Sequence, residues 1–547
     1  MDFKTPLEAF LFWEKETPDR VFLNQPINGE NLQYTYKQAG EEARRIASGL
    51  QDLGLPERSH VALLSKNCAH WHMSDLAIMM AGYVSIPIYP TLVANGIRQI
   101  LEHSDSKAII VGKLDNFEAQ KLGITDIPVL SIARYGINEA STWEAWLSTY
   151  EPMEPKISNP EDLHTIIYTS GTTGMPKGVM HSAHNFAYCC RLFAKKLKVP
   201  DHFRFFSYLP LAHVAERLIS VLCIMKGAEV FFPESLDTFA EDLENTQPHL
   251  FFAVPRIYAK FQEKILDKIP QKRLSFLLSI PLVGSIIKNK LQKKLGMGSA
   301  LVVGSAAAPI SVGLIYWYKT IGVEIVQLYG MTEDCSFSHA NFRGANKPGT
   351  VGKAHDEVSV KLSQEGEILI KNECMMLGYY KNPELTASVF EGGYLKTGDT
   401  GEYDHDGFLT ITGRVKDQFK TDKGKYIVPA PIELALSANT DIGQICLVGS
   451  GIPQPIALIT LSEVGATKTK KSLAESLMGT VRELNKTLEK HERIEKVVIM
   501  KEDWTPDNNL TTPTLKVKRN AIEKIHKPYY YKWFAMEDKV IFESDSN

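Results

Sequence analysis

The chain has 547 residues, 44% hydrophobic and 23% charged, with a formal net charge of −3. That length exceeds one compact domain, the composition is that of an ordinary globular protein, and the charge gives no electrostatic case for nucleic acid or an anionic membrane as the main partner. Seven cysteines without a C-x-x-C pair point to a reduced, cytoplasmic protein. The opening MDFKTPLEAFLFWEKETPDR lacks a signal-peptide layout. The apolar stretches 76–90 and 274–287 fall short of the roughly 20 residues a membrane span needs.

In chain order, residues 1–60 read as a helical opening and a small hairpin, with Phe22 and Tyr34 in strands. Over 32–53, Tyr36, Ala39, Ala43, Ile46, Ala47 and Leu50 recur at helical spacing on one face. A strand at 61–64 precedes a helix through Trp71, Leu76, Met79 and Met80. Cys68, His70, His72 and Asp75 crowd its start. Only Cys68 and His72 stand one turn apart, so the spacing favours mixed polar residues over a metal site. Strands at 108–111, 166–169, 203–208, 229–232, 250–254, 301–304 and 324–329 alternate with helical stretches, the rhythm of layered α/β architecture with largely parallel sheets.

The segment 264–294 sets lysines around an apolar centre at 274–287. A helix buried in the large domain, with solvated lysine ends, is favoured there over peripheral contact with the inner surface of a membrane. After about residue 366 the chain turns to short strands and turns. Beyond Arg414 it reads as a small α+β region whose helix at 468–490 aligns Leu473, Leu477, Val481, Leu484 and Leu488.

The densest chemistry lies at 163–182, LHTIIYTSGTTGMPKGVMHS. A β-branched run ends in Thr169, Ser170, Gly171, Thr172, Thr173 and Gly174, with Lys177 close behind. Glycine lets backbone approach a ligand, while hydroxyls, N–H groups and a lysine suit phosphate oxygens. The pattern is not G-x-x-x-x-G-K-[ST], since Lys177 follows Pro176 and precedes Gly178. TSGTTGMPKG resembles the signature loop of the adenylate-forming superfamily: acyl-CoA synthetases, adenylation domains of peptide synthetases, and luciferases. In that family the loop holds the β- and γ-phosphates of ATP.

The resemblance extends in order along the chain. Tyr329-Gly330-Met331-Thr332-Glu333 is similar to the family segment in which the tyrosine packs on adenine, the threonine contacts the α-phosphate and the glutamate binds Mg²⁺. Gly304, Ser305 and Ala306 match the small-residue turn under adenine and acyl group, and Asp399 and Arg414 match the ribose-holding positions. Lys416 falls at the family's hinge, and Gly424 where a glycine loop nears the thioester-forming centre. Lys516 matches the catalytic lysine expected to touch carboxylate and α-phosphate. Thr514-Leu515 stands where the family carries Ser-Gly, and Lys518 and Arg519 compete for the role. The run 208–217, YLPLAHVAER, looks like that of long-chain acyl-CoA synthetases, implying that His213 lines the carboxylate end of the acyl pocket.

The chemistry implied sets an anionic carboxylate against a polyanion. Like charges at about 4 Å cost on the order of 4 kcal/mol at an effective dielectric near 20, so cations and donors must gather around the phosphates. The fold implied is α/β: a large N-terminal domain (1–413) of layered α/β sheets plus a small strand-rich subdomain, followed by a small mobile α+β C-terminal domain (414–547) hinged near Lys416. The activity implied is a two-step, ATP-dependent ligation of a fatty acid to CoA, with Mg²⁺. Two alternatives stand beside it. One is a fatty acyl-AMP ligase that loads a carrier protein, against which the compact segment 358–371 counts. The other is a non-catalytic lipid-binding relative, against which the joint presence of Lys177, Glu333, Asp399 and Lys516 counts.

Overall fold

The Ala69–Met80 helix turns no face to solvent: every one of its side chains is buried. Its sequence, AHWHMSDLAIMM, lacks the polar stripe of a surface helix, and such a helix needs protein on all sides. The computed structural model, which describes residues 3–169, 176–512 and 514–545, lays it between two large sheets. It touches the strand Val21–Ile27 of one sheet and His60–Leu64 and Val84–Ile88 of the other. Three of its polar side chains pair inside that layer. His70 Nδ1 lies 2.9 Å from the Tyr135 hydroxyl, and His72 Nδ1 lies 3.3 Å from Ser220 Oγ. Asp75 accepts two hydrogen bonds from Arg217 at 2.6 and 2.7 Å. The polar cluster at 68–75 thus anchors the helix by side-chain pairing, and no metal-holding group of His, Cys, Asp or Glu occurs among the described residues.

The first sheet has nine strands, parallel from Ile325–Tyr329 through Val302–Ser305, Leu250–Ala253, Arg204–Phe206 and Glu229–Phe231 to Val21–Ile27. The second has eight, parallel from Leu163–Thr169 through Val84–Ile88, His60–Leu64 and Ala108–Val111 outward. One large core fills the space between them, and two smaller cores back their outer faces. Parallel strands buried on both faces read as continuous apolar runs, which is why their sequence signal is strong. The stretch 76–90 is an exception to that legibility. It divides into the end of the helix, a turn at Gly82 with φ +75°, and the strand Val84–Ile88.

A third, antiparallel sheet joins Ser359–Leu362, Glu367–Lys371, Tyr394–Tyr403 and Leu409–Arg414. The small C-terminal domain carries four strands, Ile442–Val448, Ile456–Leu461, Lys496–Ile499 and Val540–Phe542, backed by the helix Lys470–Asn485. That helix buries Leu473, Leu477 and Val481, and it ends before Leu488 because Asn485 turns to bond the backbone of Ile494.

The lysine-rich segment departs from the sequence reading. It is not a buried helix but two helices, Gln271–Ser279 and Val283–Lys294, broken at Pro281, with only Leu274 and Gly284 buried along them. No helix among the described residues is long and apolar enough to cross a membrane.

Candidate active site

The strand Leu163–Thr169 pairs antiparallel with Lys177–Ser182, and Thr169 stands opposite Lys177. Ser170, Gly171, Thr172, Thr173 and Gly174 lie outside the described residues. The short strand Gly378–Tyr379 adds to the outer edge of this pair, Tyr379 beside Val179. That register brings the Lys177 ammonium over the Tyr379 ring, 5.3 Å from its centroid. On the other side the Tyr379 hydroxyl donates to Glu333 Oε1 at 2.7 Å. Burial and the Glu333 carboxylate both raise the Tyr379 pKa, so the group stays a donor.

Glu333 sits in a tight turn after the strand Ile325–Tyr329. A side chain on Gly330 would come within 2.5 Å of the Ser336 backbone, and Cys335 and Ser336 both take left-handed conformations, φ +54° and +56°. Two neighbours clamp this turn. His181 Nε2 lies 2.7 Å from the Thr332 carbonyl, and Met376 N donates to the Glu333 carbonyl at 2.8 Å. Burial lowers the His181 pKa to about 4, so the neutral ring donates its Nε2–H there. Asp334 accepts from Met331 N at 2.8 Å. Burial pushes Asp334 up to about 7, with Glu333 adding to the rise and backbone donors opposing it.

The third sheet supplies Asp399 and Arg414, paired in register on adjacent strands. Asp399 Oδ1 meets Arg414 Nε at 2.8 Å, and Asp399 Oδ2 accepts from the Tyr329 hydroxyl at 2.8 Å. Tyr329 and Arg414 thus converge on one carboxylate from two sheets. Gly304 lies in the neighbouring strand, one residue before its end, where a side chain would strike the Phe252 ring at 2.5 Å. Ser305 and Ala306 follow it, and the Ser305 hydroxyl is buried without a hydrogen-bond partner among the described residues.

His213 caps the helix Val214–Met225, its Nδ1 accepting from Ala215 N at 3.2 Å. Burial lowers its pKa to about 4, and Lys516 pushes the same way. Glu216 and Arg217, next in the same motif, turn into the core: Glu216 accepts from Ser207 Oγ at 2.7 Å, and Arg217 pairs Asp75. Burial raises Glu216 to about 8.

Lys516 comes from the C-terminal domain, in a turn closed by its own N–H donating to Thr512 Oγ1 at 3.0 Å. Leu515, where a glycine was the expectation, holds φ +62°. Lys516 keeps solvent access while lying near Arg414 and Asp399. Desolvation there lowers its pKa to about 8; Arg414 adds to the drop and Asp399 opposes it. The competitors are engaged elsewhere, Lys518 with Asn509 and Arg519 with Glu433. Lys416 is exposed just beyond Arg414. Gly424 occupies the exposed end of the hairpin Phe419–Lys420/Tyr426–Ile427, with no neighbour among the described residues within 4 Å of where a Cβ would stand. Those two are not drawn into the cluster. Tyr379, His181 and Asp334 were missed from sequence; a GYY run and a lone strand histidine carry no distinguishing spacing.

A family model described as AMP-binding enzyme matches residues 10–380, and one described as AMP-binding enzyme C-terminal domain matches 416–530. The chain is 28% identical over 563 residues to the long-chain-fatty-acid–CoA ligase FadD15 of Mycobacterium bovis, covering 93% of each chain. It is 27% identical over 586 residues to long-chain-fatty-acid–CoA ligase 5 of Rattus norvegicus, covering 93% of this chain and 84% of that one. Among solved structures, the adenylation domain of a carboxylate reductase from Mycobacterium chelonae superposes with a TM-score of 0.80 at 20% identity, over 97% of this chain and 91% of that one. The sheet order and the family match over most of the chain agree: this protein belongs to the AMP-binding enzymes of the adenylate-forming superfamily and resembles long-chain acyl-CoA synthetases.

Proposed function

We propose that this protein is an ATP-dependent fatty acid–CoA ligase of the AMP-forming kind, acting on long-chain acids through an acyl-adenylate. The observation that carries the reading is a gathering of charged groups about one turn: Glu333 is tied to Lys177 through Tyr379, and Tyr329, at the head of the same turn, is tied to Asp399 and Arg414, near which Lys516 lies. The relatives named as long-chain-fatty-acid–CoA ligases support the substrate class.

In this reading Lys177 and the adjoining loop hold the outer phosphates of ATP. Asp399, already accepting from two donors, takes the ribose hydroxyls. Lys516, positive below about pH 8, sits between the fatty carboxylate and the α-phosphate and offsets charge as the carboxylate oxygen attacks phosphorus and pyrophosphate leaves. His213, neutral at physiological pH, lines the carboxylate end of the acyl pocket without adding a fixed charge. Glu333 fits a Mg²⁺ ligand: only one carboxylate oxygen is hydrogen-bonded among the described residues, and hard cations take carboxylate oxygens. Bound there, Mg²⁺ would offset phosphate charge. The small domain then turns about Lys416, withdraws Lys516, and admits the CoA thiol to the acyl carbon near Gly424.

The test is pyrophosphate release with fatty acids of increasing length, with and without CoA, in wild type and Lys516→Ala. The variant should lose about 10²–10³ in adenylation while CoA attack on supplied acyl-AMP stays near wild type. Equal loss in both half-reactions, or no acyl-AMP from any fatty acid, rejects the reading.

A further inference from the structure

The hairpin Gln271–Ser279/Val283–Lys294 is tied down at its base and bare at its tip. Gln271 accepts from Trp317 Nε1 at 2.8 Å, and Gln292 donates to the Ile321 carbonyl at 2.9 Å, both ends joining the helix Val312–Thr320 and the turn after it. Leu274 is fully buried, and Gly284 lets the two helices press together where a side chain would meet the Leu278 carbonyl at 2.5 Å. The hairpin is therefore a packed element of the fold.

Its tip is apolar and uncovered. Phe276 is 66% exposed, Leu282 80% and Ile286 66%, with Val283 also exposed. At the apex Val283 N donates to the Pro281 carbonyl at 2.8 Å, a γ-turn centred on Leu282 at φ +64° and ψ −51°. That hand of γ-turn is rare and strained. Here it aims a branched apolar side chain at solvent, so the chain spends both strain and exposed surface at one point. Along the stem below the tip the charge is one-sided. Residues 271–294 carry Lys272, Arg273, Lys288, Lys290, Lys293 and Lys294 and no acidic residue, in a chain whose formal net charge is −3. Among the described residues, only Lys294 of these six forms an ion pair, with Glu244.

We propose that this hairpin docks the protein on an anionic lipid bilayer, the tip entering the headgroup–acyl boundary and the lysines resting on acidic headgroups. An apolar tip on a cationic stem is the composition of an interfacial anchor. A second copy of the chain is the poorer occupant, because tip-to-tip docking would set lysines against lysines. The inference does not depend on the ligase reading.

Flotation of the full-length protein with vesicles tests it. Wild type should partition onto phosphatidylglycerol-containing vesicles, weakly onto pure phosphatidylcholine, and less as salt rises. Two variants separate the contributions: Phe276→Ser/Leu282→Ser/Ile286→Ser, and Lys272→Glu/Lys288→Glu/Lys290→Glu. At roughly fivefold per basic residue near an anionic surface, the second should lose about a hundredfold or more in partitioning. The first should lose at least about tenfold, with circular dichroism unchanged in both. Wild-type partitioning by the charge variant overturns the proposal even if the apolar variant misfolds. Equal affinity for neutral vesicles overturns it too, as does self-association of wild type that either variant abolishes.

Discussion

The Tyr379 hydroxyl donates to Glu333 Oε1 at 2.7 Å, reaching it from a strand added to the edge of the sheet that carries Lys177. One side chain therefore sets the spacing between a cation and a carboxylate that belong to different sheets. Tyr379→Phe keeps the ring beneath Lys177 and removes the donor. A hydrogen bond to a charged group contributes about 1.5–3 kcal/mol, so kcat/KM for adenylation should fall roughly 10–100-fold. Pyrophosphate release across a magnesium titration reads this out. An unchanged magnesium dependence together with unchanged kcat/KM would show that Glu333 is oriented without Tyr379.

Lys516 gives a pH prediction. Its pKa is lowered to about 8, so the positive form dominates below that value and disappears above it. Adenylation kcat/KM, which reports the free enzyme, should decline as pH rises through about 8. Lys516→Arg keeps the charge across that range and should carry the descending limb to about pH 10 or beyond. If the limb stays in place in the arginine variant, another group titrates there.

The Asp75–Arg217 pair is buried on both sides, with distances of 2.6 and 2.7 Å, and Trp71 lies against the guanidinium at 5.1 Å. Removing one partner strands a charge in the core. Asp75→Asn should destabilise the large domain by about 3–5 kcal/mol in urea unfolding. Adding Arg217→Met should recover part of that loss. A double variant as unstable as the sum of the single ones would mean the two residues do not interact.

Glu216 adds a second pH effect of known sign. Its pKa is raised from 4.5 to about 8, so folding favours the protonated form. Stability from this group is complete below about pH 4.5 and is lost as pH rises toward 8, at about 1.4 kcal/mol per pH unit. Glu216→Gln cannot titrate. Its stability relative to wild type should climb between pH 5 and about 8, measured by thermal unfolding across buffers. A flat difference would place the proton elsewhere.

The parallel sheets were legible because their strands are short apolar runs between helical stretches, and Ala108–Val111 is bounded in the structure as in the sequence. Val84–Ile88 carries a weaker signal of its own, because Pro87 argues against a strand and the run is continuous with the helix before it. In the 271–294 hairpin, periodicity tells which residues are apolar but not whether a neighbour covers them. The site divides the same way. Lys177 and Glu333 stand in motifs, whereas Tyr379 meets Glu333 across 46 residues, and no local pattern encodes that meeting. Asp399 and Arg414 stood out only through resemblance, although strand register is what makes them partners.

Arg414 and Lys516 are two cations close enough for one to depress the other, and the peptide that presents Lys516 is itself bent through a strained Leu515. Asp399, paired with Arg414, offsets part of the push between them and leaves the group net positive. A nucleotide acts as the counterweight, and its departure restores the push. An anion entering here therefore meets a site already short of negative charge.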